Sequence, residues 1–198
     1  MFPRRLGALK VLVFILALVP LIYLLLGLFL KPEWLGANPA EYITRNTGDW
    51  SLRFLLITLS VTPVRKLSGW NWLLKFRRML GLFAFFYVCL HFLSFIAFDH
   101  VFDVAEIIRD ITKRPFITIG FLAFVLLIPL AVTSTNSMVR RLGAKRWIKL
   151  HRLVYAIAIF GVLHFWLMVK RDVTEPAIYA GILALLLGFR LYAARNKV

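Results

Sequence analysis

An all-α, polytopic membrane protein built as a six-helix transmembrane bundle is the fold class that this sequence predicts, and three observations carry the prediction. Apolar residues make up 61% of the chain and charged residues only 17%, where a soluble domain carries about a quarter. Six apolar runs each approach the roughly 20 residues that a bilayer core requires. The charges are sorted between alternate connections, as they are when a chain crosses a membrane repeatedly.

Taken in order, the runs cover residues 11–30, about 48–64, 79–98, 116–132, 148–169 and 176–191. Long runs without alternation fit helices, because a lipid-embedded backbone must satisfy its own polar groups and an open strand cannot. The first run is too long for a signal-peptide core and lacks a small-x-small cleavage site, so a retained helix is expected. The second is weakened at its start by Asp49 and Arg53, whereas the third carries no formal charge and holds both His91 and the single cysteine, Cys89. One cysteine excludes an intramolecular disulfide, leaving Cys89 a small apolar packing residue. Pro20, Pro63 and Pro129 mark bends, since proline removes a backbone donor. Two loops, residues 31–47 and 99–115, are long enough for a short helix, and the second mixes acids with apolar residues as a surface connector would. Trp34, Trp50, Trp70, Trp72 and Trp147 fall near the expected interfaces and read as membrane anchors. The whole chain, 1–198, is expected to be one membrane domain.

The net charge of +16 invites a nucleic-acid reading, but its distribution argues for topology instead. The N-terminus, the second and fourth connections with their flanks, and the C-terminus hold 17 bases and no acid; all nine acids share the other side with the remaining eight bases. The positive-inside rule therefore places both termini in the cytoplasm and argues against a nucleic-acid partner. The acidic segment from Asp99 to Asp110 is then a candidate outer docking surface.

Ionisable side chains inside apolar runs are costly and usually functional. His91 lies thirteen residues beyond Arg78, about 20 Å along a helix, and His164 lies sixteen beyond Ile148, about 24 Å. Both are thus expected at similar depth in the outer half of the membrane, on different helices. Two such histidines can bind a haem iron from opposite sides, while the alternative is interhelical hydrogen-bond glue. His151 sits near the cytoplasmic edge among Lys149 and Arg152, where a hydrated surface histidine is the alternative; thirteen positions rotate it about 220° from His164, so the two share a face only if the helix is tilted or distorted, and Gly161 would allow either local distortion or close approach of a cofactor. His100, beside Asp99, is expected to be a solvated loop residue.

Three segments carry a family resemblance: LRFLLITLSVTPVRK (52–66), RRMLGLFAFFYVCLHF (77–92) and PLAVTSTNSMVRRLGAKRWIKLHRLVYAIAIFGVLHF (129–165). They resemble the ferric-reductase-like transmembrane superfamily over about residues 50–170, and within it the haem-binding membrane subunits of bacterial periplasmic methionine sulfoxide reductase systems. The resemblance implies a haem b protein of the bacterial inner membrane. It would pass electrons from the cytoplasmic side or the quinone pool to a periplasmic molybdenum-cofactor reductase that repairs oxidised envelope proteins. It also implies FMN, for which the basic cytoplasmic connections offer phosphate-binding charge. Two-haem relatives place a histidine pair on each of two helices, but here the position fourteen residues before His91 is Arg77. An inner haem would thus take His151, with Arg77, water or nothing opposite, and Arg77 or Arg78 could instead pair with a haem propionate.

The reading is a non-catalytic electron-transfer subunit with one or two haems, His91 and His164 binding the outer one and His151 the inner one. Its donor would be a quinol or a cytoplasmic flavin reductase, and its setting the lipid bilayer. A small transporter or proton path using the buried histidines is the alternative, and a purely structural assembly subunit a third. No nucleotide loop or hydrolase constellation supports an independent enzyme.

Overall fold

Helix boundaries follow local capping chemistry. Asn38 starts α2 (Pro39–Ser68) by accepting the Glu41 N–H at 3.2 Å. Gly69 ends it in the left-handed conformation at φ 74°, donating its N–H to the Arg65 carbonyl. Asp103 starts α4 (Val104–Lys113) by accepting the N–H groups of Ala105 and Glu106, and Thr135 starts α6 (Asn136–Leu142) through Met138. The computed structural model describes residues 3–196, and among them the chain is helical without a strand. The other helices are α1 (Pro3–Phe29), α3 (Arg77–Ser94), α5 (Pro115–Val132), α7 (Ala144–His151), α8 (Leu153–Met168) and α9 (Thr174–Arg195).

The fold is an all-α polytopic membrane protein. Among the described residues, five stretches are long and apolar enough to cross a membrane: Leu6–Phe29, Arg77–Asp99, Pro115–Val132, Ala144–Met168 and Thr174–Arg195. The sixth expected span lies within α2, which is 30 residues long but carries Asp49 and Arg53. Its neighbours shield it: Leu52, Phe54, Leu55, Leu56 and Leu59 are all buried. A central helix can carry charge that a lipid-facing one cannot.

Helix α2 lies along α3, and α5 along α8; contacts between α3 and α5 and between α2 and α8 close a group of four. Helix α9 flanks this group against α8 and α2, and α1 packs outside α3, where Phe14 meets Phe83 at 5.2 Å between ring centres. The bend expected at Pro20 has a specific partner. Proline opens the α1 ladder, and the Tyr87 hydroxyl enters it, donating to the Ala17 carbonyl at 2.8 Å and accepting the Leu21 N–H at 3.2 Å.

All nine acids lie toward one end of the bundle, here called the acidic end; the opposite, basic end carries α6 and α7. His100 is not the solvated loop residue expected from its neighbours. It is only 6% exposed, edge-on to Phe95, with Nε2 3.4 Å from Asp110 Oδ2 and Nδ1 3.7 Å from Glu106 Oε2. The acidic segment is correspondingly less free for docking, since Asp103 caps a helix and Asp110 pairs with His100 and Arg114. Nor is Trp147 a plain anchor, because its indole donates to the Thr133 carbonyl at 2.9 Å and stacks on His151.

Candidate cofactor site

The four central helices enclose a cavity of about 420 Å³, within the range of ligand and cofactor pockets. Its walls are largely apolar, including Leu52, Leu55, Phe121, Phe124 and Leu127, and toward the acidic end its lining is polar, with Arg45, His100 and Arg114 beside Asp49, Asp99, Glu106 and Asp110. His91 reaches it from α3 and His164 from α8. Their ring centres are 6.1 Å apart and their planes meet at 70°, so the depth match expected from helical rise brings both into one cavity.

Each imidazole is oriented by backbone. His91 Nδ1 bonds the Thr44 carbonyl of α2 at 2.8 Å, and His164 Nδ1 bonds the Phe116 carbonyl of α5 at 2.7 Å. A carbonyl only accepts, so both Nδ1 atoms carry the proton and each Nε2 presents a lone pair. Such a bond fixes the ring and raises the basicity of the other nitrogen as a metal ligand.

Glycine makes room for both rings. A Cβ at Gly48 would stand 3.1 Å from His91 Nδ1, and one at Gly120 would stand 2.7 Å from His164 Nδ1. In each case the glycine lies four residues after the accepting carbonyl, one helical turn on and on the same face. Neither the glycines nor Thr44 and Phe116 were expected from sequence. The available signal was a glycine inside a helical stretch, which costs about 1 kcal/mol relative to alanine and so calls for a packing reason.

The donor set fits a metal held between two imidazoles. With metal–nitrogen bonds of about 2 Å and each ring centre about 1 Å behind its nitrogen, opposed imidazoles have centres about 6 Å apart. The surrounding apolar walls suit a porphyrin. Thr44 Oγ1, buried without a hydrogen-bond partner on this wall, adds a free polar atom. Histidine pairing alone makes the site, since no cluster of three or more His, Cys, Asp or Glu side chains suited to a metal occurs among the described residues.

His151 is elsewhere. Among the described residues it does not line this cavity; its Nε2 lies 3.0 Å from Thr133 Oγ1, and its ring stacks on Trp147 at 3.8 Å. Arg77 and Arg78 are within Coulombic range of it, and Arg78 also donates to Asn136 Oδ1 at 2.7 Å. Gly161 lines the cavity, and the helix is interrupted elsewhere. An irregular turn at Arg152 divides α7 from α8, whereas Gly161 admits Leu52 of α2, whose Cδ1 would lie 3.4 Å from an added Cβ.

Residues 47–162, which span this cavity and all three histidines up to His151 with most of α8, match the ferric reductase like transmembrane component family. Proteins named as the protein-methionine-sulfoxide reductase heme-binding subunit MsrQ are similar over nearly the whole chain. The one from Herminiimonas arsenicoxydans is 59% identical over 98% of this chain and 89% of its own length. That from Rhodospirillum rubrum is 57% identical over 98% and 91%, and that from Bordetella pertussis 46% over 96% and 92%. The chain belongs to the MsrQ family of ferric-reductase-like transmembrane proteins. No solved structure matches it. In this MsrQ-family chain, the matched region begins at Thr47, so the carbonyl of Thr44 that orients His91 lies just before it, and His164 just after its end.

Proposed function

We propose that this chain is the haem b-bearing electron-transfer subunit of a methionine sulfoxide reductase system in the bacterial inner membrane. The observation that carries the proposal is the His91–His164 pair, whose rings face one apolar cavity at 6.1 Å with both Nδ1 protons held by backbone carbonyls. When bound there, haem supplies one-electron chemistry at a potential tuned by its axial ligands and burial. His91 and His164 would bind and orient the iron, and Leu55, Phe121, Phe124 and Leu127 would exclude water from it. The whole chain acts as one membrane domain, with about residues 50–170 as its haem-binding core.

Electrons enter from a quinol or a cytoplasmic flavin reductase and leave at the acidic end, which faces the periplasm. There a molybdenum-cofactor reductase returns methionine sulfoxide in damaged envelope proteins to the thioether. The sulfoxide chemistry belongs to that partner. At the basic end, Arg77, Arg78 and His151 form an acid-free cluster suited to the phosphate of FMN or the carboxylates of an inner haem. An axial role for His151 would take its Nε2 away from Thr133.

Substitution of His91 or His164 by alanine tests the proposal. Each variant is expected to lose the low-spin b-type absorption of the purified protein, while His100→Ala retains it. Unaltered low-spin haem in both variants would overturn the assignment.

A further inference from the structure

Two separate helix pairs hold their histidines by the same arrangement. In α2 and α3 it consists of the Thr44 carbonyl, Gly48 and His91; in α5 and α8 it consists of the Phe116 carbonyl, Gly120 and His164. The carbonyl and the glycine are one turn apart in both, so the missing Cβ opens the helix surface beside the accepting oxygen. A helical carbonyl is already engaged by the N–H four residues on, and here that N–H belongs to the glycine itself. Reaching such an oxygen requires an approach close along the backbone, which a side chain at the glycine position would block. The close approaches are graded: an added Cβ would meet His164 Nδ1 at 2.7 Å, His91 Nδ1 at 3.1 Å and, at Gly161, only Leu52 at 3.4 Å.

From this geometry we infer that Gly48 and Gly120 are positioning residues for electron transfer: they seat the two histidines on backbone acceptors and thereby set the ring orientation and the reduction potential of the metal between them. The inference rests on His91 and His164 being the axial pair. An Nδ1–H donated to a carbonyl makes the imidazole a stronger donor and favours the oxidised metal. Pushing the ring off its carbonyl weakens that donation, so the potential rises.

The test uses full-length, haem-loaded protein in detergent, with spectroelectrochemical titration and low-temperature paramagnetic resonance of the low-spin haem. Gly48→Ala, whose 3.1 Å contact the ring can relieve by a few tenths of an ångström, is the deciding variant. It should retain haem, change its g-values and shift the reduction equilibrium several-fold toward the reduced form. Gly120→Ala should shift it more, by about tenfold, or about 59 mV for one electron, or lose low-spin haem altogether. Gly188→Ala on α9, where an added Cβ meets nothing within 4 Å, controls for the substitution itself. Wild-type g-values and potential in Gly48→Ala, or shifts no greater than those of Gly188→Ala, would overturn the inference. If the histidine variants lose the haem while Gly48→Ala is silent, only the role of the glycines falls. If the histidine variants keep the haem unchanged, the axial pair itself is wrong.

Discussion

Tyr87 is fully enclosed, yet its hydroxyl spends both its donor and an acceptor site on another helix, bridging the turn of α1 that holds Pro20. Without that oxygen, the Ala17 carbonyl and the Leu21 N–H, which stand four residues apart on α1, are left to pair only with each other. An intramolecular hydrogen bond contributes about 0.5–1.5 kcal/mol net, so Tyr87→Phe should destabilise the protein by that amount. Denaturant unfolding in detergent measures it, and wild-type stability would show that the bond contributes nothing net. Residues of this kind mark the limit of what sequence conveys. His91 and His164 were legible because rise per residue fixes depth, and depth is one coordinate. Which face each side chain presents is the other coordinate, and it depends on how neighbouring helices are rotated. The seats at Gly48 and Gly120, the Tyr87 bridge and the burial of His100 all depend on that rotation, so none could be read from spacing.

Among the elements, the six long helices were legible because a bilayer imposes a length that composition reports directly. The turn at Arg152 was not, since residues 148–169 are continuously apolar and periodicity carries no mark of an irregular turn. That turn gives α7 its own role. Trp147 and His151 both reach Thr133 at the end of α5, so α7 is tied to α5 at the basic end, while α8 carries His164 deeper into the bundle. If a cofactor group lies beside Arg77, Arg78 and His151, electrons meet this element first. His151→Ala should then slow haem reduction by the donor several-fold and leave reoxidation at the acidic end unchanged. Stopped-flow absorbance resolves the two half-reactions, and an unaltered reduction rate would remove His151 from the path.

At the scale of the whole molecule, orientation decides the direction of the proposed electron transfer, and charge is what sets orientation. In the sequence, the N-terminus, the second and fourth connections with their flanks and the C-terminus hold 17 bases and no acid, against nine acids and eight bases in the remaining segments. Each lysine or arginine near an anionic cytoplasmic leaflet contributes about 1 kcal/mol, so an excess of this size outweighs any single unfavourable loop. The expected arrangement places α6 and α7 in the cytoplasm and α4 outside, with the mouth of the histidine cavity opening outward. Because the sequence has one cysteine, replacing it as Cys89→Ala gives a thiol-free background for reporters. Arg109→Cys on α4 and Lys145→Cys on α7 place single thiols at exposed positions on opposite ends. A membrane-impermeant maleimide added to cells with a permeable outer membrane should label the first directly and the second only after the inner membrane is opened. The reverse pattern would put the cavity mouth in the cytoplasm, out of reach of any periplasmic acceptor, and the proposed direction of transfer would fail with it.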